Sequence, residues 1–252
     1  MQDLRVKKIR RLIGYKIMQM LSCILQLGLQ ISSKTLAISQ KPVIIFAPHQ
    51  DDETLGCGGL IALKRERRIP VKVIFITDGQ LSGSGNMEVK DVVNIRKKEA
   101  LEALNILGIA PSDIYFINQK DGSLQELCPQ QQQQLVNQLV GFIASFNAEE
   151  IYVPHRHDCH PDHEASYQLV VQAIALSGLK VDLWQYPVWM LWQNPLNPQI
   201  NLQSLLNCYH ISIKSVHQKK QQAIACYQSQ IISANPEFLF RFSADCEIFF
   251  RN

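Results

Sequence analysis

Short apolar runs alternate along this chain with longer stretches in which apolar residues recur every three or four positions. The runs at Val43–Ala47, Val71–Thr77, Ile114–Ile117, Glu150–Val153, Val181–Tyr186 and Tyr209–Ile213 have the length of strands. The first two are β-branched and show little in–out alternation, as strands covered on both faces do. The longer stretches run from about Glu53 to Arg68, Lys90 to Leu107, Pro129 to Ser145, Pro161 to Ser177 and Ser215 to Ser229, and their spacing is helical. Gly108 and Pro111 stop the second of them, and Pro161 suits the first turn of the fourth. The glutamine run 130–134 reads as the solvated start of the third. Strand and helix in alternation predict one doubly wound α/β domain with a mostly parallel sheet.

The first 31 residues break from this pattern. Ile9, Ile13, Ile17, Met20, Ile24 and Leu27 recur at helical spacing, while Arg5, Lys7, Lys8, Arg10, Arg11 and Lys16 load the first half with charge. Gln19, Gln26 and Gln30 interrupt the apolar stretch, which argues against a signal peptide and against the run of about 20 apolar residues a membrane span needs. Two expectations remain for this amphipathic helix. It lies on an anionic membrane surface, or it packs on the domain with a solvated basic end. The predicted organisation is residues 1–40 as basic helix and polar linker, then 41–252 as a single Rossmann-like domain.

Charge and cysteine usage narrow the setting. The net charge of +3 hides an uneven distribution: residues 1–40 carry seven Lys/Arg against one Asp, net +6, so the body is about −3. No basic face argues for nucleic acid as a partner. Seven cysteines without a CxxC pair suit free thiols in a reducing compartment, so a cytoplasmic protein is expected, with the inner face of the membrane as its surface if the N-terminal helix binds lipid.

The candidate chemistry sits where strands end. Pro48-His49-Gln50-Asp51-Asp52-Glu53 follows the run 43–47, and Pro154-His155-Arg156-His157-Asp158-Cys159-His160-Pro161-Asp162-His163-Glu164 follows the run 150–153. Ligands of open α/β sheets bind at the carboxyl ends of strands, beside the point where strand order reverses. If the order reverses beside 43–47, the two clusters are neighbours. His49, Asp52 and His163 would then form a three-ligand set with an open position for water, which suits catalytic zinc. Asp51, beside the metal without ligating it, is the candidate general base. His160 is placed to donate to a developing oxyanion, and Asp158 and Asp162 to hold imidazoles in one orientation. Together these parts describe hydrolysis of an amide or ester.

The same residues resemble a known family. His49-Gln50-Asp51-Asp52-Glu53, followed by Gly56-Cys57-Gly58-Gly59, looks like the His-Pro-Asp-Asp-Glu motif of PIG-L-like and LmbE-like zinc deacetylases, and His160-Pro161-Asp162-His163 looks like their His-x-Asp-His motif. Thr77-Asp78-Gly79 and Arg96-x-x-Glu99 are also similar. Gln50 departs from the usual Pro at a position that ligates nothing. The resemblance covers roughly residues 42–230. It implies His49, Asp52 and His163 as ligands of zinc, with iron as the alternative metal, and Asp51 as base. It implies His160 as acid or oxyanion stabiliser, with Asp162 tuning it. It further implies removal of acetyl from an N-acetylglucosamine unit, on a small-molecule or lipid-linked glycoconjugate. Arg96 and Asp121 are expected substrate contacts, each balanced by a plainer reading as a surface ion pair or turn residue. Trp184, Tyr186 and Trp189 offer faces to a sugar or an apolar aglycone, or pack beneath a loop.

Two rival readings make different demands. A non-haem iron oxygenase would use Asp51 as ligand with His49 and His163, in an all-β setting. A catalytically silent carbohydrate-binding protein on the same fold would have no use for a base at Asp51 or for His160.

Overall fold

The structure is a computed structural model. It describes residues 31–82, 88–190, 207–231 and 236–251, together with residues 16, 20, 21, 24 and 27–29 of the N-terminal segment. Eight strands form one sheet. In chain order they are β1 (Lys34–Thr35), β2 (Val43–Ala47), β3 (Val71–Thr77), β4 (Ile114–Gln119), β5 (Glu150–Pro154), β6 (Asp182–Tyr186), β7 (Cys208–Ser212) and β8 (Cys246–Arg251). Their order across the sheet is β1-β7-β8-β6-β5-β2-β3-β4. All neighbours are parallel except β8, which runs antiparallel to both β6 and β7.

Four long helices cover the sheet: α1 (Asp52–Glu66), α2 (Val89–Ile106), α3 (Pro129–Phe146) and α4 (Pro161–Ser177). Three short ones follow: α5 (His217–Ile224), α6 (Gln228–Ile231) and α7 (Pro236–Phe240). Val43, Ile45 and Ala47 of β2 pack into a core with α1, α2 and α5, while Ile44 and Phe46 pack into a second core with α3 and α4. Both faces of β2 are therefore apolar surface, which is why its sequence shows no alternation. β2 pairs with β3 on one side and β5 on the other. The chain leaves β2 toward one edge and returns through β5 toward the other, so the reversal point lies between the ends of β2 and β5, as expected.

The strands and helices expected up to Tyr186 are present. The C-terminal part differs from its expected simple alternation. Residues 246–251 form β8, whose antiparallel direction breaks the parallel rule, and the single helix expected over 215–229 is divided into α5 and α6. The division falls at Tyr227, whose amide bonds only three residues back, to Ile224 at 3.1 Å, and whose ring turns inward to the site. Lys34–Thr35, read as linker, pairs with β7. Of the loop expected over 80–89, Gln80–Ser82 makes a 3-10 turn and 83–87 lie outside the described residues; so does the loop read from Pro187 beyond Met190.

α1 carries part of the site and is held against β6, β7 and β8 with unusual closeness. A Cβ at Gly56 would fall 2.2 Å from the Tyr186 ring, and one at Gly59 would fall 2.4 Å from Ile213. Only glycine permits that approach. Beside it a buried ion pair enters the helix. Lys220 Nζ donates to the Leu55 carbonyl at 2.8 Å and to Glu247 at 2.7 Å, while Glu247 accepts from the amides of Gly59 and Leu60 at 2.6 and 2.8 Å. Strand β8 thereby grips α1 seven residues after its start. The described residues of the N-terminal segment are helical from Lys16 to Leu29. Leu29 is buried with Met190, Cys208, Ile248 and Phe250. Met20, Ile24, Leu27 and Ile31 are exposed. No helix among the described residues is long and apolar enough to cross a membrane.

Candidate metal centre

The end of β2 is fixed before it reaches the site. Thr77 at the end of β3 donates through its amide and its hydroxyl to the Pro48 carbonyl, at 3.0 and 2.8 Å. Gln50 is fully buried and donates its amide to the Thr77 carbonyl at 2.9 Å. It thus ties this loop to the next strand by a side chain, a contact proline could not make. Asp51 caps α1 with φ 146° and ψ −30°, a region sparsely populated by residues other than glycine. Its amide donates to Glu53 Oε2 at 3.1 Å, and Glu53 is in turn held by the hydroxyls of Thr54 and Tyr227.

Three donor atoms converge just beyond. His49 Nδ1 lies 3.2 Å from Asp52 Oδ2, His163 Nε2 lies 3.2 Å from the same oxygen, and the two nitrogens are 3.4 Å apart. A tetrahedral ion with bonds of about 2.0–2.1 Å has ligand atoms about 3.3–3.4 Å apart. The donors therefore fit such an ion, with a fourth corner left for water or substrate. The remaining nitrogens of both imidazoles are held by carboxylates. His163 Nδ1 is 2.7 Å from Asp158, and His49 Nε2 is 3.1 Å from Asp121 and 3.3 Å from Asp162. Carboxylates at those positions fix the tautomers that present Nδ1 of His49 and Nε2 of His163 to a metal. A ring nitrogen of His160 also lies within 4.8 Å of those of His49 and His163.

The protonation equilibria show what the cluster demands. Burial opposes charge on His49, yet Asp121, Asp162 and Asp52 hold it well above its ordinary value. Burial likewise disfavours the imidazolium of His163, but Asp52 and Asp158 raise it to about 9. Asp52 is buried, and its two imidazole neighbours still keep it well below the carboxylate range. The cluster thus takes up positive charge as protons, the charge a dication would supply. Asp51 behaves differently: burial lifts it to about 6, partly offset by Arg96. His160 is pushed down to about 4 by burial and then by His163 and His49.

Each expected site residue can now be placed. His49, Asp52 and His163 meet, and Asp51 and His160 line the cavity above them. The carboxylate of Asp162 makes no hydrogen bond to His160, though its charge acts on that imidazole from nearby. It accepts from Gly122 at 2.7 Å and Leu124 at 3.1 Å and faces His49, because α4 begins at Pro161 and turns the side chain toward the β4 loop. What reaches His160 is the amide of Asp162, donating to Nδ1 at 3.3 Å. Asp121 lines the cavity and its carboxylate lies beside His49. Arg96 is buried, with Nη2 donating to the Gln50 carbonyl at 2.7 Å and lying 3.4 Å from Asp51 Oδ1. The all-β setting required by an oxygenase is absent from this sheet.

Residues 44–174 match the family model described as PIG-L: GlcNAc-PI de-N-acetylase. The chain belongs to this family. Among curated PIG-L relatives, the probable N-acetyl-alpha-D-glucosaminyl L-malate deacetylase 2 of Bacillus anthracis is 28% identical over 141 residues, which cover 54% of this chain and 61% of that protein. The match thus spans less than two thirds of the relative's length. The N,N'-diacetylchitobiose deacetylase of Pyrococcus horikoshii superimposes with a TM-score of 0.60 at 21% identity, over 79% of this chain and 73% of that one. The 4-carboxy-2-hydroxymuconate hydratase of Pseudomonas putida does so equally well, with a TM-score of 0.60 at 20% identity over 81% and 82% of the two chains. Such likenesses speak for the PIG-L fold alone, and the same fold carries different chemistries.

Sequence reasoning missed Tyr227 and the wall it belongs to. Ile224, Phe238 and Leu239 line the same cavity as His49 and Asp51. They lie far along the chain with no local motif. The one available signal was a surplus of aromatic residues after position 226.

Proposed function

We propose that the protein is a zinc-dependent hydrolase that removes the N-acetyl group from an N-acetylglucosamine unit of a small-molecule or lipid-linked glycoconjugate. The observation that carries this reading is a buried two-imidazole, one-carboxylate set with 3.2–3.4 Å between its donors, beside a second carboxylate outside the set. His49, Asp52 and His163 would hold the ion, and iron is the alternative occupant. Zinc in such a site supplies Lewis acidity and lowers the pKa of water to about 7. Asp51, raised to about 6, is matched to take a proton from that water at neutral pH and to return it to the leaving amine. Arg96 orients this base through Oδ1. His160 is placed to donate to the carbonyl oxygen as it gains charge. Asp121, Asp158 and Asp162 keep the two ligand imidazoles from turning.

Acetate release from N-acetylglucosaminides by the zinc-loaded protein tests the reading. Asp51→Asn is expected to retain zinc by metal analysis and to lose about 10²–10⁴-fold in kcat. Undiminished turnover in that variant would refute the assignment of the base.

The proposed setting is the cytoplasm, with the N-terminal helix against the inner face of the membrane. Met20, Ile24, Leu27 and Ile31 form an exposed apolar stripe at helical spacing, continued in sequence by the basic positions 5–16. Free cysteines at six described positions are consistent with a reducing compartment. Flotation with anionic liposomes is expected to carry the full chain and to leave an Ile24→Glu, Leu27→Glu variant behind. Failure of the full chain to float would remove the membrane from the picture.

A further inference from the structure

The cavity above the metal centre is about 530 Å³, within the roughly 300–1,000 Å³ typical of small-molecule sites. Its floor and walls differ in kind. His49, Asp51, Asp52, Asp121 and His160 make a polar floor. Leu55, Val188, Trp189, Ile224, Phe238 and Leu239 make an apolar wall. A stack of rings joins the two: His160 lies 6.1 Å from Trp189, and Trp189 lies 5.0 Å from Phe238, each pair at 28°. The wall is built by α1, the turn after β6 and the helices α5 and α7, so most of it comes from beyond the span of the PIG-L match.

Charge is distributed as unequally as polarity. Among the described lining residues, Arg96 is the sole lysine or arginine, facing three carboxylates at Asp51, Asp52 and Asp121. Its guanidinium is committed to the Gln50 and Gly79 carbonyls, at 2.7 and 3.1 Å, and to Asp51. Among the described lining residues, an anionic group attached to the sugar would therefore meet carboxylates and hydrocarbon with no uncommitted cation, and a buried unpaired charge is strongly disfavoured.

We infer that the amino sugar acted on here carries an uncharged, apolar aglycone, seated on the Trp189–Phe238 wall while the acetamide faces the metal centre. The inference rests on the deacetylase reading above. It separates this chain from the relatives named for a substrate that bears L-malate, a dianion.

The experiment compares α-linked methyl and n-octyl N-acetylglucosaminides and N-acetylglucosaminyl malate as substrates of the full-length, zinc-loaded protein, with the octyl compound kept below its micellar concentration. Calorimetry on the corresponding free amines gives a readout independent of turnover. Each buried methylene is worth about fourfold in affinity. The octyl glycoside is expected to exceed the methyl one by about 50-fold or more in kcat/KM, chiefly through KM, and the malate glycoside to be no better than methyl. The octyl amine is expected to bind more tightly than the methyl amine, with a negative heat-capacity change. Phe238→Ala should cut the octyl-to-methyl ratio by about tenfold; if that variant does not fold, the wild-type ratios decide. Acetate release with malate preferred, or with octyl and methyl equal, overturns the inference and leaves the deacetylase reading intact. If no glycoside releases acetate, the deacetylase reading fails and calorimetry alone decides: preference for the octyl amine supports the apolar seat, and equal binding overturns it.

Discussion

The stretch from β2 to α4 and the stretch from β6 to β8 meet at one cavity and contribute different things to it. The first supplies the charged and titratable groups: His49, Asp51, Asp52, Arg96, Asp121 and His160. The second supplies shape, through Val188, Trp189, Ile224 and Phe238. The first is parallel and regular, whereas the second turns β8 antiparallel between β6 and β7 and divides its helices into short pieces. Charged groups at strand ends need fixed positions relative to one another, which short local connections provide. A wall needs only area and fit, and can be assembled from distant pieces. The contrast suggests that reaction type resides in the first part and choice of substrate in the second.

Two couplings bind the parts, and breaking them tests whether the division is real. The larger is the Lys220–Glu247 pair, with both side chains buried. In Lys220→Met the Glu247 carboxylate is left buried without its cation, and breaking such a pair costs about 3–5 kcal/mol. Urea unfolding of the variant should show that loss while zinc binding persists at low denaturant. The double variant Lys220→Met, Glu247→Leu is expected to recover part of it, because the Leu55 carbonyl and the Gly59 amide are natural partners in an uninterrupted helix. A double variant weaker than either single one would mean that the pair holds α1 in a shape the helix cannot adopt alone.

That coupling also marks where the chain was legible. β2 and β5 could be read from composition alone, since strands covered on both faces are apolar throughout. That His49, Asp52 and His163 meet followed from their standing at the ends of those strands. Glu247 gave no such signal. A glutamate in a short run at Cys246–Arg251 looks like a surface residue, and only the backbone amides of α1 make it a buried one. The hydrogen-bond partners of Asp162 were hidden for a related reason. The family resemblance implied a role for it beside His160, while its carboxylate accepts from the Gly122 and Leu124 amides, some 40 positions earlier. Asp121 was read as a substrate contact or a turn residue, and nothing local shows that it also meets His49. Patterns along the chain report which groups are gathered. They report poorly on which carboxylate faces which imidazole.

The second coupling is Asp158, which touches both parts at once. It holds His163 Nδ1 at 2.7 Å and accepts from the amides of Val188, Trp189 and Met190 at 2.9, 3.0 and 2.9 Å. Asp158→Asn leaves one acceptor oxygen where four N–H donors converge. Removing a carboxylate that orients a ligand imidazole typically lowers metal affinity about 10–100-fold. Competition with a zinc chelator measures it. Zinc affinity unchanged in the variant would show that the turn bearing Trp189 is held independently of the metal centre, and would sharpen the division between the two parts.

The smallest effect lies at the seam itself. His155 follows β5, donates its amide to the Tyr186 carbonyl at 2.8 Å and sets its ring edge-on against Phe250 of β8, 4.9 Å between centroids. Its Nδ1 accepts from the His157 amide at 3.1 Å, so the neutral ring is the one that fits. Burial, and then the charges of His157 and Arg156, push its pKa down from 6.5 to about 3. Between those values the unfolded chain binds a proton at this position that the folded chain does not. Stability from His155 is thus fully present above about pH 6.5 and declines as pH falls, by about 1.4 kcal/mol per unit. Glu53, raised to about 7, acts in the opposite direction, but equally in wild type and in a His155→Gln variant. The wild-type advantage over His155→Gln in urea unfolding should therefore shrink steadily between pH 7 and pH 5. A constant advantage would mean that the imidazole titrates as it does in water and that the seam between β5 and β8 is open to solvent.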